Sequence, residues 1–138
     1  PAEEVDADYR TVGLSLQGHP AQFVRPLLER RKVTPCGRLG GLRDGAHVTA
    51  AGLVLLRQRP GSAKGITFVT IEDETGQANL VVYPDVWERY RPAARGATAL
   101  LVSGRLQQDA GGTSHLVVAR MEDLSEAFGV AVRARDFH

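Results

Sequence analysis

Cysteine, lysine and long apolar runs are scarce or missing in this chain. Among its 138 residues Cys36 is the one cysteine, which excludes an internal disulfide and fits a reducing compartment. No run of 18 or more apolar residues occurs, so no transmembrane helix and no membrane partner are expected. The first residues are acidic and no apolar stretch follows them. That argues against a signal peptide and suggests a piece of a longer protein, with a cytoplasmic location. His19, His47, His115, His138 and Cys36 lack metal-ligand spacing, and no glycine-rich phosphate loop ending in Gly-Lys-Ser or Gly-Lys-Thr is present. Serine, histidine and aspartate form no recognisable catalytic constellation. These absences leave no active site or cofactor site expected within the chain.

What is present is enough for one compact domain with attachments: 43% hydrophobic residues to build a core and 24% charged residues to dissolve it. The net charge of +1 hides an uneven distribution. Between Arg25 and Lys64 lie nine basic residues against Glu29 and Asp44, a local balance of +7. Such a stretch can track a phosphate backbone. It can equally be a solvated surface in a composition that prefers arginine, since only Lys32 and Lys64 are lysines.

Along the chain, Pro20 to Lys32 reads as a helix with Phe23, Val24, Leu27 and Leu28 on one face. Pro26 lacks a donor N–H, so a kink or break is expected near Val24–Pro26. Thr34 to Gly45, with Pro35 and four glycines, reads as a linker. The expected organisation is therefore a helical segment and linker over 1–46, a β-rich domain over 47–124 and a tail over 125–138. Val48–Arg59, Ile66–Asp73 and Gln77–Tyr83 read as three antiparallel strands, the last two joined through Glu74-Thr75-Gly76. Pro84 opens a helix to Arg95, with Val86, Trp87 and Tyr90 on one side, suited to plugging an open end of the sheet. Ala99–Gln108 and Ser114–Glu122 are strands four and five, joined by Asp109–Thr113. The facing of strand five stays open, because both of its alternating sets contain apolar residues.

Five strands with a helix between the third and fourth describe a mainly β chain forming a partly open OB-fold barrel, preceded by a short helical segment. In that fold the outer face of strands 1–3 takes the ligand. Strand alternation then sorts the side chains. With Val54, Leu56, Val69, Ile71, Leu80 and Val82 inside, the outer face carries Leu55, Arg57, Arg59, Phe68, Thr70, Asn79, Val81 and Tyr83. Lys64 lies in the adjoining loop, Arg105 on the outward set of strand four, and His115 beside the last loop. Rings for stacking, cations for phosphates and an amide for a base edge suit single-stranded nucleic acid. Glu72-Asp73-Glu74 is expected to be a solvated turn, since three consecutive strand residues cannot all face one metal pair.

The run GLVLLRQRPGSAKGITFVTIEDETGQANLVVYPDVWERYR, followed by VSGRLQ, LVVARMEDL and the terminal RDFH, resembles the C-terminal region of bacterial error-prone, C-family DNA polymerase alpha subunits. GLSLQGHP at 13–20 resembles the segment before the OB domain of that family, after its tandem helix-hairpin-helix region. More distantly, the anticodon-binding OB module of class II aminoacyl-tRNA synthetases is similar, with an aromatic and an amide at places matching Phe68 and Asn79. The first resemblance implies a parent polymerase used in damage-induced translesion synthesis, whose magnesium-binding palm aspartates lie outside this chain. It implies single-stranded DNA and the rest of the polymerase as partners. It also permits a second use, docking to a sliding clamp or to accessory lesion-bypass (mutagenesis) proteins, with the tail ending Arg135-Asp136-Phe137-His138 as a docking peptide.

Overall fold

The computed structural model describes residues 19–60 and 64–129. GLSLQGHP up to Gly18, loop residues Gly61–Ala63 and the tail from 130 to 138 lie outside the described residues, and so does the docking peptide expected there.

Helix α1 (Pro20–Arg30) is followed by a 3-10 helix (Cys36–Gly41). Strand β1 (His47–Gln58), strand β2 (Thr67–Asp73) and strand β3 (Gly76–Val82) come next. Two short helices, α2 (Pro84–Arg89) and α3 (Arg91–Gly96), lead to strands β4 (Ala99–Gln108) and β5 (Ser114–Asp123). The strands close a barrel in the order β1-β2-β3-β5-β4, which is the expected OB architecture. All neighbours are antiparallel except β3 and β5, whose parallel ladder holds only Leu80↔Leu116 and Val81↔Val117. None of the described helices is long and apolar enough to cross a membrane.

Inward side chains fill the barrel: Val48, Ala50, Val69, Ile71, Leu80, Val82, Leu100, Val102, Leu106, Leu116 and Val118 are all buried. The helix expected between strands three and four plugs one end through Val86, with Trp87 and Tyr90 packed against the core. It is two helices, not one. Pro92 has no N–H to give to the preceding turn, and the chain breaks at Tyr90 (φ −113°, ψ 30°). Two glycines permit close strand contacts. A Cβ at Gly104, beside the irregularity between β4 and β5, would lie 1.9 Å from the Val117 carbonyl oxygen. One at Gly52 would lie 2.5 Å from that of Glu72.

Helix α1 does not break at Pro26. Gln22, whose carbonyl loses its partner there, and Pro26 itself are both exposed, so water can take the freed carbonyl. The buried stripe is Ala21, Val24 and Leu28, in place of the expected Phe23 and Leu27. This stripe covers the outside of the barrel, packing with Val33 against Ala51, Ala99, Leu101, Leu124 and Phe128. The expected linker is also part of the fold. Cys36 and Leu39 of the 3-10 helix sit in the barrel core, closing its other end.

The acidic run at the β2–β3 turn holds these pieces together and is not a solvated turn. Asp73 is 2% exposed. Its carboxylate accepts from Cys36 N–H (2.8 Å), Thr75 N–H (2.8 Å), Thr75 Oγ1 (2.6 Å) and Gly76 N–H (3.1 Å). Arg25 of α1 donates to Glu74 through Nε (2.8 Å) and Nη2 (2.7 Å), and through Nη2 to Asp73 (3.1 Å). Burial alone would raise the pKa of Asp73, but the hydrogen bonds from Cys36 and Thr75 outweigh it and the net shift is downward. Glu74 is lowered chiefly by its bond from Arg25.

Candidate nucleic-acid interface

The outer face of β1–β2–β3 is set by register. Phe68 stands opposite Val81 and Thr70 opposite Asn79 in the β2–β3 ladder, while Val69 and Leu80 pair inside. This matches the alternation read from the sequence. On β1 the ladder slips: Val54 faces Ile71, but Leu56 faces Thr70, leaving Leu55 as the extra residue of a bulge. Every side chain after the bulge therefore changes face. Leu56 and Gln58 join the outer surface, in the rows Leu56–Thr70–Asn79 and Gln58–Phe68–Val81. Leu56 is 48% exposed, where the sequence reading had placed it inside.

The same slip corrects the expected places of two arginines. Arg57 pairs with Val69 and not with the outer row. Its Nε and Nη2 donate to the Ala94 and Ala97 carbonyls, each at 2.6 Å, which secures the C-terminal end of α3. Burial lowers its pKa, with Asp123 acting in the opposite sense. Arg59 donates through Nε to Thr67 Oγ1 (3.1 Å) and holds its guanidinium carbon 5.1 Å from the Trp87 ring centroid, a cation–π contact. Two more members of the basic stretch are also engaged: Arg25 at the β2–β3 turn and Arg31, which makes a bidentate pair with Glu122.

The other expected residues are distributed as follows. Phe68 and Thr70 are half-buried, and Asn79 is exposed. Tyr83 is 44% exposed at the start of α2. Lys64 is exposed in the β1–β2 loop with φ 55°, a left-handed conformation followed by Gly65 at φ 83°. Arg105 is exposed on β4 opposite Val117 of β5, and donates to the Gly45 carbonyl (3.1 Å). His115 is half-buried and pairs with Gln107, near the Asp109 loop. Asp109 Oδ1 organises that loop by accepting from Gly111 and Thr113 N–H at 2.9 Å each.

The structure thus brings Phe68, Thr70, Asn79 and Tyr83 to one face with Leu56, Gln58 and Val81. It keeps Arg57 and Arg59 on the other side of the sheet. Leu56 and Gln58 were missed because no glycine or turn former marks the bulge; its one trace is the Leu55–Leu56 pair, which strict alternation cannot place on one surface. This surface is largely uncharged and mixed apolar–amide in character. It offers stacking and hydrogen bonding rather than charge neutralisation.

Three comparisons bear on this surface. Residues 48–124 match the tRNA anti-codon family, an OB-fold nucleic acid binding domain. The whole chain is similar to error-prone DNA polymerases: 54% identical to that of Rhodopirellula baltica and 50% to that of Anaeromyxobacter dehalogenans, over 99% of the chain in both. The chain spans 12% of the length of these relatives. The solved asparaginyl-tRNA synthetase of Pyrococcus horikoshii, complexed with asparaginyl-adenylate, shares the barrel with a TM-score of 0.55. It is 25% identical, over 67% of this chain and 22% of that one.

Proposed function

Because the chain belongs to the OB-fold nucleic acid binding domain family, we propose that its β1–β2–β3 face holds single-stranded DNA template for an error-prone DNA polymerase engaged in translesion synthesis. The observation that carries this reading is the adjoining rows Leu56–Thr70–Asn79 and Gln58–Phe68–Val81, which set one aromatic ring beside two exposed amides on the outer sheet. A ring stacks a base of any sequence, and an amide meets a base edge. In this reading nucleotidyl transfer and its magnesium belong to other parts of a cytoplasmic polymerase, and this chain only positions the strand. Lys64 and Arg105 flank the face and meet phosphates at its margins, with His115 beside the last loop.

A second reading is favoured by the exposed Leu55 and Leu56, 40% and 48% accessible. Here the same neutral face docks a protein partner, such as a sliding clamp or an accessory lesion-bypass protein. Titrating the chain with fluorescent single- and double-stranded oligonucleotides at two salt concentrations separates the two. Template binding requires preference for the single strand. Equal or absent binding of both forms leaves the docking reading.

A further inference from the structure

We propose that the seam between β3 and β5 is a pocket for one unstacked nucleobase, distinct from the stacking face. The inference rests on the single-strand reading above. It starts from an incomplete ladder: the parallel pairing begins at Leu80↔Leu116, so the strand segments before it, through Asn79 and through His115, have no ladder partners across the seam. There a cavity of about 210 Å³ opens, with Ala78, Leu106 and Leu116 as walls and Leu39 of the 3-10 helix as its cover. One water needs only about 10–15 Å³ of such space, so the cavity is far larger than a single solvent site.

Its polar groups are Gln77, Asn79 and Ser114. Ser114 Oγ is buried and has no hydrogen-bond partner among the described residues. A buried hydroxyl left unpaired is costly, and a ligand group that reaches it removes the cost. The cover is braced by Gln108, whose Nε2 donates to the Gly40 carbonyl (3.3 Å) and to that of Leu42. The one ionisable group in the lining is the Cys36 thiol, which burial pushes upward and keeps neutral. An uncharged site with apolar walls, two carboxamides and a hydroxyl suits a neutral flat heterocycle, not a phosphate or a metal ion. Asn79 belongs both to this cavity and to the outer row with Thr70 and Leu56. A strand crossing the face at Phe68 can therefore turn one base into the seam.

The test uses the 138-residue chain and single-stranded oligonucleotides carrying one abasic site, stepped along the sequence. Besides the base stacked on Phe68, one further position, that of the inserted base, is expected to weaken binding about ten-fold more on removal than the rest of the strand. Ser114→Ala is expected to weaken the intact oligonucleotide about three- to ten-fold, and to have no effect on the oligonucleotide abasic at that position. Uniform losses along the strand, or no effect of Ser114→Ala while Phe68→Ala still weakens binding, would overturn the pocket and leave the stacking face standing. No binding by the unaltered chain would overturn both. If Ser114→Ala fails to fold, the unaltered chain is titrated with free nucleosides by NMR. Shifts at Ala78, Ser114 and Leu116 are then expected, and shifts confined to Phe68 and Thr70 would overturn the pocket.

Discussion

Arg57 lies across from Val69 in the β1–β2 ladder, one residue out of the register that strict alternation from Val54 demands. The bulge at Leu55 turns a candidate phosphate contact into a structural tie, with the guanidinium Nε and Nη2 donating to the Ala94 and Ala97 carbonyls. Arg57→Ala is expected to cost about 1–3 kcal/mol of stability and to leave single-strand affinity nearly unchanged where the chain is folded. With Lys64 and Arg105 as the cations left at the margins, the log–log salt slope is expected to be about −1.4, at roughly −0.7 per phosphate contacted on a single strand. Denaturant melts of the variant and titrations across salt check the two halves. A slope of about −2 or steeper with a weakened Arg57→Ala would return that arginine to the strand.

Arg25 is the one described cation that reaches Glu74, and it also touches the buried Asp73. Arg25→Met removes the partner and leaves both carboxylates beside an apolar chain. Breaking a buried pair typically costs about 3–5 kcal/mol. Asp73 keeps four other donors, so the lower end of that range is expected. Urea unfolding measures it, and oligonucleotide affinity at a temperature where the variant is folded is expected to be unaltered.

Stability should fall with acid in two steps. His19 caps α1, its Nδ1 accepting from Ala21 N–H at 3.0 Å, and its Nε2 lies 3.2 Å from Glu72. Burial lowers its pKa below 6.5, although Glu72 pulls the other way. The unfolded chain then binds the proton first. The contribution of His19 is fully present above about pH 6.5 and is lost as pH falls below it toward the folded pKa. Asp73 and Glu74, both lowered, supply a second loss as pH falls through their own folded values. His19→Asn keeps a capping oxygen without a titrating group. Unfolding free energies at about pH 7.5 and pH 5.5 should differ in the unaltered chain and converge in His19→Asn.

Residues before the barrel contribute to its core. A chain beginning at His47 loses Cys36 and Leu39 from one barrel end, and bares Ala51, Ala99 and Leu101 where α1 packs. Its Tm is expected to be at least about 10 °C lower than that of the chain beginning before α1. Equal melting of the two would place an independent domain boundary at residue 46, where the glycine-rich stretch suggests one.

The five strands, the turn at Glu74–Gly76, the Asp109 loop and the facing of β2 and β3 were legible because each rests on local signals: period-two alternation, turn formers and short separation. The burial of Asp73 was not, because its partners Cys36 and Arg25 are 37 and 48 residues away. Nor was the role of the 3-10 helix, whose three glycines and preceding Pro35 mimic a linker while Cys36 and Leu39 fill the barrel end. The bulge was hidden for a different reason. Leu55, Leu56 and Arg57 fit either register locally, and pairing with β2 decides between them.

The stacking face is tested most directly by Phe68→Ala, followed by melting and by single-strand titration. Phe68 is half-buried on the outer row while its neighbours Thr67 and Val69 are buried. Stacking of a base on an aromatic is typically worth about 1–3 kcal/mol. Binding is expected to be about five- to a hundred-fold weaker, with a stability loss well below the roughly 3–5 kcal/mol of a core phenylalanine. Loss of folding with unchanged affinity in the folded fraction would contradict the binding face proposed here.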